Sequence, residues 1–442
     1  MPTAMEIYKL LPKKNCGECK FPTCLAFAMQ LANQKVALEA CPYVSPEAKA
    51  TLEESGAPPI KLVSFGTTES PLKLGDETQL FRHDKTFYHP TVLGVIADDS
   101  EGLDAMKKKL EYVKGASFER VGQMITIDSV GVRHSSGNAQ DFLDAVKSAA
   151  GMGLPVVLMT EDPDLMSKAL SMCAPGKPLL YRATPQNFDA MMAVAKACGF
   201  PVVIGGTTSM EDLSNLADRA RKAGTAEIIL EPADSSASAM LEAMTVIRRS
   251  AVKKKFRPLG YPTISVLGSS MEDDLKAALG VMKYSSVVLM SEMPVEFAYP
   301  LMTLRQNIFT DPQVPIQVKA GIYTVGEPTD RSPVLFTTNF SLTYFTVRAD
   351  VEKAKIPAWL LVVDTDGQSV MTAFAAGKLT PETVAKLVET EKLKEKSSRN
   401  EIIIPGMVSR MSGKLNELTG MKIVVGPRES SGLPKMLKSL AS

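Results

Sequence analysis

The sequence predicts an α/β protein in three parts, and three observations carry that expectation. Short continuous runs of apolar, β-branched residues alternate with helical patterns along most of the chain, the mark of parallel strands covered on both faces. Eight such runs fall between residues 59 and 322, the count and span of a (β/α)8 TIM barrel, which takes about 250 residues. Ahead of them, four of the six cysteines crowd into the first 41 residues. A chain of 442 residues is in any case too long for one ordinary core.

Composition narrows the function classes. Apolar residues make up 45% and charged residues 22% of the chain, a globular profile. Fifty Lys plus Arg against forty-nine Asp plus Glu leave a formal charge of +1. A nucleic-acid partner, which calls for a basic excess, is therefore not expected. No apolar run approaches the ~20 residues of a membrane helix. The opening stretch is broken by Glu6 and Lys9, so it has no signal-peptide core and a cytoplasmic location is expected.

The first part, residues 1–58, carries Cys16, Cys19, Cys24 and Cys41, spaced C-x2-C-x4-C-x16-C with Pro42 after the last. In a reducing compartment such a cluster points to metal rather than to disulfides. The only histidines are His83, His89 and His134, so sulfur alone has to hold a metal here. Two turns bring three thiolates to one side, and a helix over Leu25 to Leu38 returns the chain to the fourth. Four thiolates without histidine suit a 4Fe–4S cluster; an all-cysteine zinc site has the same ligand count but usually pairs its ligands as two CxxC units. Gly17 and Pro22 sit where backbone must approach sulfur. Cys173 and Cys198 stand alone among small and apolar neighbours and read as core thiols. The turn at Gly56 to Pro59 reads as a linker.

The second part, 59–322, has its runs at 91–97, 124–128, 155–160, 178–183, 201–206, 227–232, 263–268 and 286–291. An open doubly wound sheet is the competing fold, but it seldom has eight evenly spaced βα units. The presumed strand ends bear Asp98, Asp99, Asp128, Glu161, Asp162, Glu231 and Glu292, an acidic mouth on the face where barrel enzymes place their sites. Solvated or helix-capping carboxylates on a scaffold are the simpler reading. The 24 methionines are spread along the chain as core filler.

The third part, 323–442, has runs at 334–339, 358–364, 401–406 and 422–426, which fit an open sheet of four or five strands. Ligands of such sheets bind at the carboxyl edge of the strands. Here four loops, 337–343, 364–372, 405–409 and 426–432, are rich in small and hydroxylated residues. Turns and N-caps account for any one of them; four on one edge suggest a large ligand with many amide and phosphate groups. Backbone N–H groups at Gly367, Gly406 and Gly432 are the expected donors. No P-loop and no GxGxxG after a strand is present, which disfavours a nucleotide. The region also has no histidine to offer a bound metal cofactor.

Taken together, NCGECKFPTC (15–24), EACPY (39–43), LLVVDTDGQSVMTAFAAGK (360–378), IIIPG (402–406) and VVGPRESSG (424–432) resemble the large (gamma) subunit family of the corrinoid iron–sulfur protein of the acetyl-CoA (Wood–Ljungdahl) pathway, the acetyl-CoA decarbonylase/synthase gamma subunits. The matching segments run in the same order along the whole chain. The resemblance implies a 4Fe–4S domain at 1–58, a TIM barrel at 59–322 and a Rossmann-like cobamide-binding domain at 323–442. It implies a heterodimer with a small barrel subunit, and as further partners a methyltetrahydrofolate methyltransferase, acetyl-CoA synthase/CO dehydrogenase and a low-potential electron donor. The cobalt of the family's corrinoid takes a methyl group from methyltetrahydrofolate and passes it to the nickel site of acetyl-CoA synthase, and the cluster returns Co(II) to Co(I).

Carried over residue by residue, the resemblance makes Cys16, Cys19, Cys24 and Cys41 the cluster ligands. It assigns the corrinoid to Thr338, Asn339, Thr343, Gly367, Gln368, Ser369, Val370, Met371, Thr372, Gly406, Ser431 and Gly432, with Thr372 nearest the cobalt and no catalytic side chain. Electron-rich Co(I) prefers no axial donor, and a binding domain without histidine keeps the lower ligand weak. A carrier also needs to turn its cobalt toward different partners, so a mobile hinge is expected near 320–335, at Gly326, Pro328 and Pro333. Two other readings compete. One is an iron–sulfur electron-transfer or reductase subunit. The other is a barrel methyltransferase that binds the pterin itself, in which Asp128→Ala would abolish turnover.

Overall fold

The computed structural model describes residues 3–33, 35–49, 52, 58–225, 227–311 and 313–441. They divide into two compact units, one of Met1–Leu80, Thr91–Leu110 and Ser129–Ser291, the other of Phe81–Pro90, Glu111–Asp128 and Glu292–Ser442. Among the described residues no helix is long and apolar enough to cross a membrane.

The first unit opens with two short helices. Ala4–Leu10 starts at a capping box in which the Thr3 hydroxyl accepts from the Glu6 N–H and the Glu6 carboxylate accepts from the Thr3 N–H. Cys24–Ala32 starts at Thr23, whose hydroxyl accepts from the Ala26 N–H. Ile7, Leu11, Phe27, Ala28 and Leu38 form a small core that also takes in Cys24 and Cys41. The second helix stops at Ala32, not at Leu38, and a 3-10 turn follows at Leu38–Ala40. Six more helical residues would carry the chain about 9 Å onward, away from the core that Cys41 has to rejoin. Of the expected linker turn, Gly56 and Ala57 lie outside the described residues.

The barrel follows. Strands β1 (Val63–Gly66) and β2 (Pro71–Leu74) pair as an antiparallel hairpin. Val63, Phe65 and Leu74 share one cluster with the inward residues Val92, Ile96, Val157, Leu179, Val203, Ile229 and Val287. Gly66 bridges Lys177 and the Lys61 N–H donates to the Gly260 carbonyl, so the hairpin stoppers the amino-terminal end of the barrel. The barrel strands are β3 (Val92–Asp98), β6 (Ser129–Arg133), β7 (Val156–Met159), β8 (Leu179–Ala183), β9 (Val202–Ile204), β10 (Ile228–Leu230), β11 (Ile264–Leu267) and β12 (Val287–Met290), with β4 (Ser117–Arg120) and β5 (Gln123–Thr126) between the first two. All eight are parallel in the order β10-β9-β8-β7-β6-β3-β12-β11. The ring closes where Leu230 bridges Thr263 and its N–H donates to the Pro262 carbonyl at 2.8 Å.

Seven of the eight runs read as barrel strands are barrel strands. The run at 124–128 is not: β5 pairs antiparallel with β4 as a separate hairpin. Met124 is 61% exposed and Ile125 buried, the alternation of a half-covered ribbon. The second barrel strand is the less apolar Ser129–Arg133, buried over its first four residues. Close packing forces its small residues: a Cβ on Gly131 would lie 2.7 Å from the Met159 sulfur, and one on Gly94 of β3 would strike Ser129 and Leu289.

In the second unit, β13 (Gly321–Val325), β14 (Val334–Thr338), β15 (Ala358–Val363), β16 (Glu401–Ile404) and β17 (Lys422–Val425) form a sheet in the order β13-β15-β14-β16-β17. Only β13 is antiparallel. Strand residues alternate between faces as the pleat requires. Val334, Phe336, Leu361 and Val363 pack with Val384, Val388 and Leu415, while Leu335, Leu360, Val362 and Ile403 pack with Tyr344, Val351 and Leu437. A boundary at 322 would cut β13, so this sheet begins at Gly321. The expected hinge at 320–335 is likewise absorbed into it. The segment from Gly326 to Pro333 joins β13 to β14 within one sheet and is pinned by the Trp359 indole N–H donating to the Thr329 carbonyl at 3.0 Å.

The barrel interior supplies a stability test. Gly94→Ala overpacks a closed ring and should destabilise the chain by ~1–3 kcal/mol. Gly151→Ala, at a helix end with open space around it, should be neutral or slightly stabilising. Urea unfolding of both variants checks the contrast.

Candidate functional site: a cavity at the reversal point of the C-terminal sheet

β15 lies on one side of β14 and β16 on the other. The connections leaving β14 and β16 therefore diverge, and a crevice opens beyond their carboxyl ends. A cavity of about 470 Å³ occupies it. Its walls are Leu335, Phe336 and Thr337 from β14, Leu342, Thr343, Thr346 and Val347 from the helix Ser341–Lys353, and Ser369, Val370 and Met371 at the start of the helix Val370–Ala375. Ile403, Ile404, Pro405 and Met407 close the β16 side, and Pro427, Arg428, Ser430 and Leu433 the last.

Three buried oxygens at this edge have no hydrogen-bond partner: the hydroxyls of Thr337 and Thr338 and Oε1 of Gln368. An unmade bond of this kind costs ~1–3 kcal/mol, and the Thr337 hydroxyl, on the cavity wall, is placed to be completed by another molecule.

Of the twelve expected corrinoid contacts, Thr343, Ser369, Val370 and Met371 line the cavity. Thr338 and Gln368 have unpaired oxygens but are not among its lining residues. Thr372 is exposed, and its hydroxyl lies 3.0 Å from that of Ser369. The remaining residues build the site rather than face it. Asn339 is 2% exposed, and its Oδ1 accepts from the Thr365 N–H, the Thr365 hydroxyl and the Gly367 N–H, at 3.0, 3.0 and 3.1 Å. Its Nδ2 donates to Gln317 and to Asp364, so one buried amide fastens the whole β15 loop. The N–H groups of Gly367, Gly406 and Gly432, expected to meet ligand acceptors, are spent on Asn339, Pro427 and Glu429. These glycines are needed for closeness: added Cβ atoms would lie 2.7 Å from Gln317, 2.5 Å from the Gly426 carbonyl and 2.8 Å from Pro427. At the last loop it is Ser430, not Ser431, that lines the cavity, and its hydroxyl donates to Asp350 at 2.6 Å.

Thr337, Thr346, Met407 and Arg428 were not among the expected contacts. Thr343 and Thr346 are three apart on one helix and so share a face, a signal the sequence carried. The inward turn of Thr337, by contrast, depends on strand register.

In the N-terminal helical region all four cysteines are free thiols: Cys16 is exposed, Cys19 half-buried, Cys24 and Cys41 buried. The Asn15 N–H donates to the Cys24 sulfur at 3.4 Å, and Asn15 Oδ1 accepts from the Cys24 N–H at 2.8 Å. Asn15, Gly17 and Lys20 take positive φ of 49°, 75° and 66°, which turns the backbone sharply along the stretch that carries the first three thiols. Among the described residues no three Cys, His, Asp or Glu side chains are grouped as ligands of one metal ion. A cubane is a different demand, because each thiolate binds a separate iron. The donor set fits it: four thiols, two in an apolar core and one already accepting a backbone N–H.

A family model described as "CO dehydrogenase/acetyl-CoA synthase delta subunit" matches residues 62–437, and one described as "Putative Fe-S cluster" matches 11–43. The corrinoid/iron-sulfur protein large subunit of Moorella thermoacetica is 45% identical over 434 residues, covering 98% of this chain and 97% of that one. The gamma subunit of the acetyl-CoA decarbonylase/synthase complex of Methanothermobacter thermautotrophicus is 35% identical over 454 residues, covering 100% and 99%. This chain belongs to the corrinoid/iron-sulfur protein large-subunit family. The first family model carries a delta-subunit description, but the end-to-end relatives are large and gamma subunits, and they decide which subunit this is. Among solved structures, dihydropteroate synthase of Thermus thermophilus matches 55% of the chain and 99% of its own, with 16% identity and a TM-score of 0.37.

In this large subunit the acids expected at the barrel mouth have mostly structural duties. Asp98 caps the turn Asp99–Glu101. Asp99 accepts from the His134 ring at 2.6 Å and from the Ser135 and Ser136 N–H groups, each at 2.7 Å. Burial pushes its carboxyl up, but these donors outweigh it and hold it below the usual carboxylate range. Asp162 caps the helix Pro163–Leu170, and Glu161 and Glu231 pair with Arg182. Asp128 precedes β6 and so belongs to the amino end of that strand; it is bound by Arg305.

Cys173 is buried, and burial pushes its thiol up to about 11 from 9.0. The neutral thiol is the folded form, so its contribution to stability is complete below pH 9 and is lost as the pH rises toward about 11. Iodoacetamide at about pH 8, below the ordinary thiol range, should leave Cys173 unmodified in the native chain and alkylate it after unfolding, read by peptide mass. Asn339→Ala should remove five hydrogen bonds at once, cost ~2–4 kcal/mol and raise amide exchange selectively across 364–372.

Proposed function

We propose that this large subunit is a methyl carrier whose C-terminal sheet holds a corrinoid and whose N-terminal cysteines hold a 4Fe–4S cluster. The observation that carries the reading is the cavity at the β14–β16 crevice, with the unpaired Thr337 hydroxyl on its wall, in a stretch without histidine. When bound, the corrinoid supplies a cobalt that can take a methyl group from methyltetrahydrofolate, by way of a methyltransferase, and yield it to the nickel site of acetyl-CoA synthase. The cluster supplies the electron that returns oxidised cobalt to service.

The chain's own residues bind, orient and shield. The apolar walls from Leu335, Phe336, Val347 and Leu433 exclude water from the inserted part of the ligand. Thr337, Thr343 and Ser369 offer it hydrogen bonds, and Arg428 offers positive charge to a phosphate. Because residues 323–442 contain no histidine, this domain would offer a bound cobalt no imidazole, which would favour its low oxidation state. Cys16, Cys19, Cys24 and Cys41 are the cluster ligands, with the Asn15 N–H stabilising the Cys24 thiolate. The partners are a small barrel subunit in a heterodimer, the methyltransferase, acetyl-CoA synthase/CO dehydrogenase and a low-potential electron donor, all in the cytoplasm.

Protein purified without oxygen, together with its partner subunit, should contain about four iron and one cobalt per large chain. Iron without cobalt after reconstitution with a corrinoid would sink the carrier reading and leave an electron-transfer subunit. Thr346→Trp should fill the cavity and lower cobalt content while iron stays constant. Cys19→Ala should abolish the cluster's visible absorbance and reductive reactivation but spare methyl uptake by chemically reduced protein; equal loss of both would make the cluster structural.

A further inference from the structure

A second cavity, of about 110 Å³, lies at the carboxyl end of the barrel among Arg182, Gly206, Thr207, Glu231, Asp234 and Ser265. It sits at the ends of β8, β9, β10 and β11, the edge on which barrel proteins bind small molecules. Its floor is built. Gly205 leaves the space that the Glu231 carboxylate occupies, since a Cβ there would collide with it, and Gly206, at φ +69°, turns the chain where a Cβ would lie 2.9 Å from Thr184.

Glu231 accepts from the Tyr181 hydroxyl and, at 2.5 Å, from Arg182. Arg182 also donates to Glu161 at 3.0 Å and to the Tyr181 oxygen at 3.2 Å. The guanidinium is thereby committed to its neighbours and is not a free anion receptor.

Two groups are left over. Thr207 is 8% exposed and its hydroxyl has no partner. Asp234 is half-buried and lines the same cavity. The Lys276 ammonium donates to the Asp234 backbone carbonyl at 2.7 Å and acts on the carboxylate through its charge. Of the charged side chains in the cavity lining, Arg182 stands against Glu231 and Asp234, a net of −1. Burial pushes the Asp234 carboxyl up; Lys276 opposes it, and Glu231 and Asp273 add to it, so the net direction is upward.

We propose that this barrel cavity binds a small molecule through a planar amidine or guanidine head, whose N–H groups pair with the Asp234 carboxylate and the Thr207 hydroxyl. A planar head of this kind matches a carboxylate with two parallel charge-assisted bonds and cancels the residual charge. The neutral counterpart, an amide, has one N–H edge too few and no charge. The site is independent of the C-terminal cavity and of the cysteine cluster, so it stands or falls apart from the carrier reading.

The test uses the full chain with its bound groups and acetamidinium chloride as the probe, followed by ligand-observed NMR with acetamide as the control. Saturable binding in the millimolar range is expected, since a four-atom ligand reaches little more, with acetamide at least about tenfold weaker. Asp234→Asn should weaken the probe about tenfold or more, and the isosteric Thr207→Val roughly threefold to tenfold. No saturation, or equal binding to wild type and both variants, would overturn the proposal. Binding to the chain alone but not to its complex with the partner subunit would mean that a partner's arginine fills the cavity, and would overturn the diffusible ligand.

Discussion

The position of β14 between β15 and β16 is the constraint on which the C-terminal site depends. Right-handed crossovers send the connection from β14 to β15 and the connection between β15 and β16 to opposite faces, and no helix can cover the point where they part. The gap at the carboxyl ends is therefore unavoidable, and the loops bordering it are free to differ in chemistry without cost to the sheet. Everything singled out at that edge, from Thr337 to Leu433, is there because the strand order reverses at this one strand.

Within that frame a division of labour separates residues that shape the edge from residues that face the cavity. Asn339 closes the β15 loop with five hydrogen bonds from a single buried amide. Gly367, Gly406 and Gly432 let neighbouring backbone approach to distances that a Cβ would forbid. The faces left toward the cavity are hydroxyls, the Arg428 guanidinium and apolar walls, none of them a strong ligand for a metal. The same economy appears at the cysteines, where Asn15 fixes Cys24 by two bonds, its N–H donating to the sulfur and its Oδ1 accepting from the Cys24 N–H.

The barrel belongs to the same pattern of built and spare groups. Most of its mouth acids are absorbed by caps and by arginine, as a scaffold would have them. Thr207 and Asp234 are the exceptions, and they share one cavity.

The sequence by itself determined the three-part order, seven of eight barrel strands, the four parallel strands of the C-terminal sheet, the cysteine set and the family. These features are written in local chemistry: continuous apolar runs for buried strands, fixed spacing for thiols, and long motifs such as 360–378. Only the tertiary structure decided the rest. That Ser129–Arg133 and not 124–128 enters the barrel follows from the close packing of Gly94 and Gly131, which a hydropathy pattern cannot register. That β13 extends the C-terminal sheet follows from antiparallel pairing with β15, which is not local. The same holds for the glycine N–H groups and for Asn339. A sequence shows that a loop is rich in hydrogen-bonding groups, but whether those groups face a ligand or one another depends on which distant strand ends lie beside them.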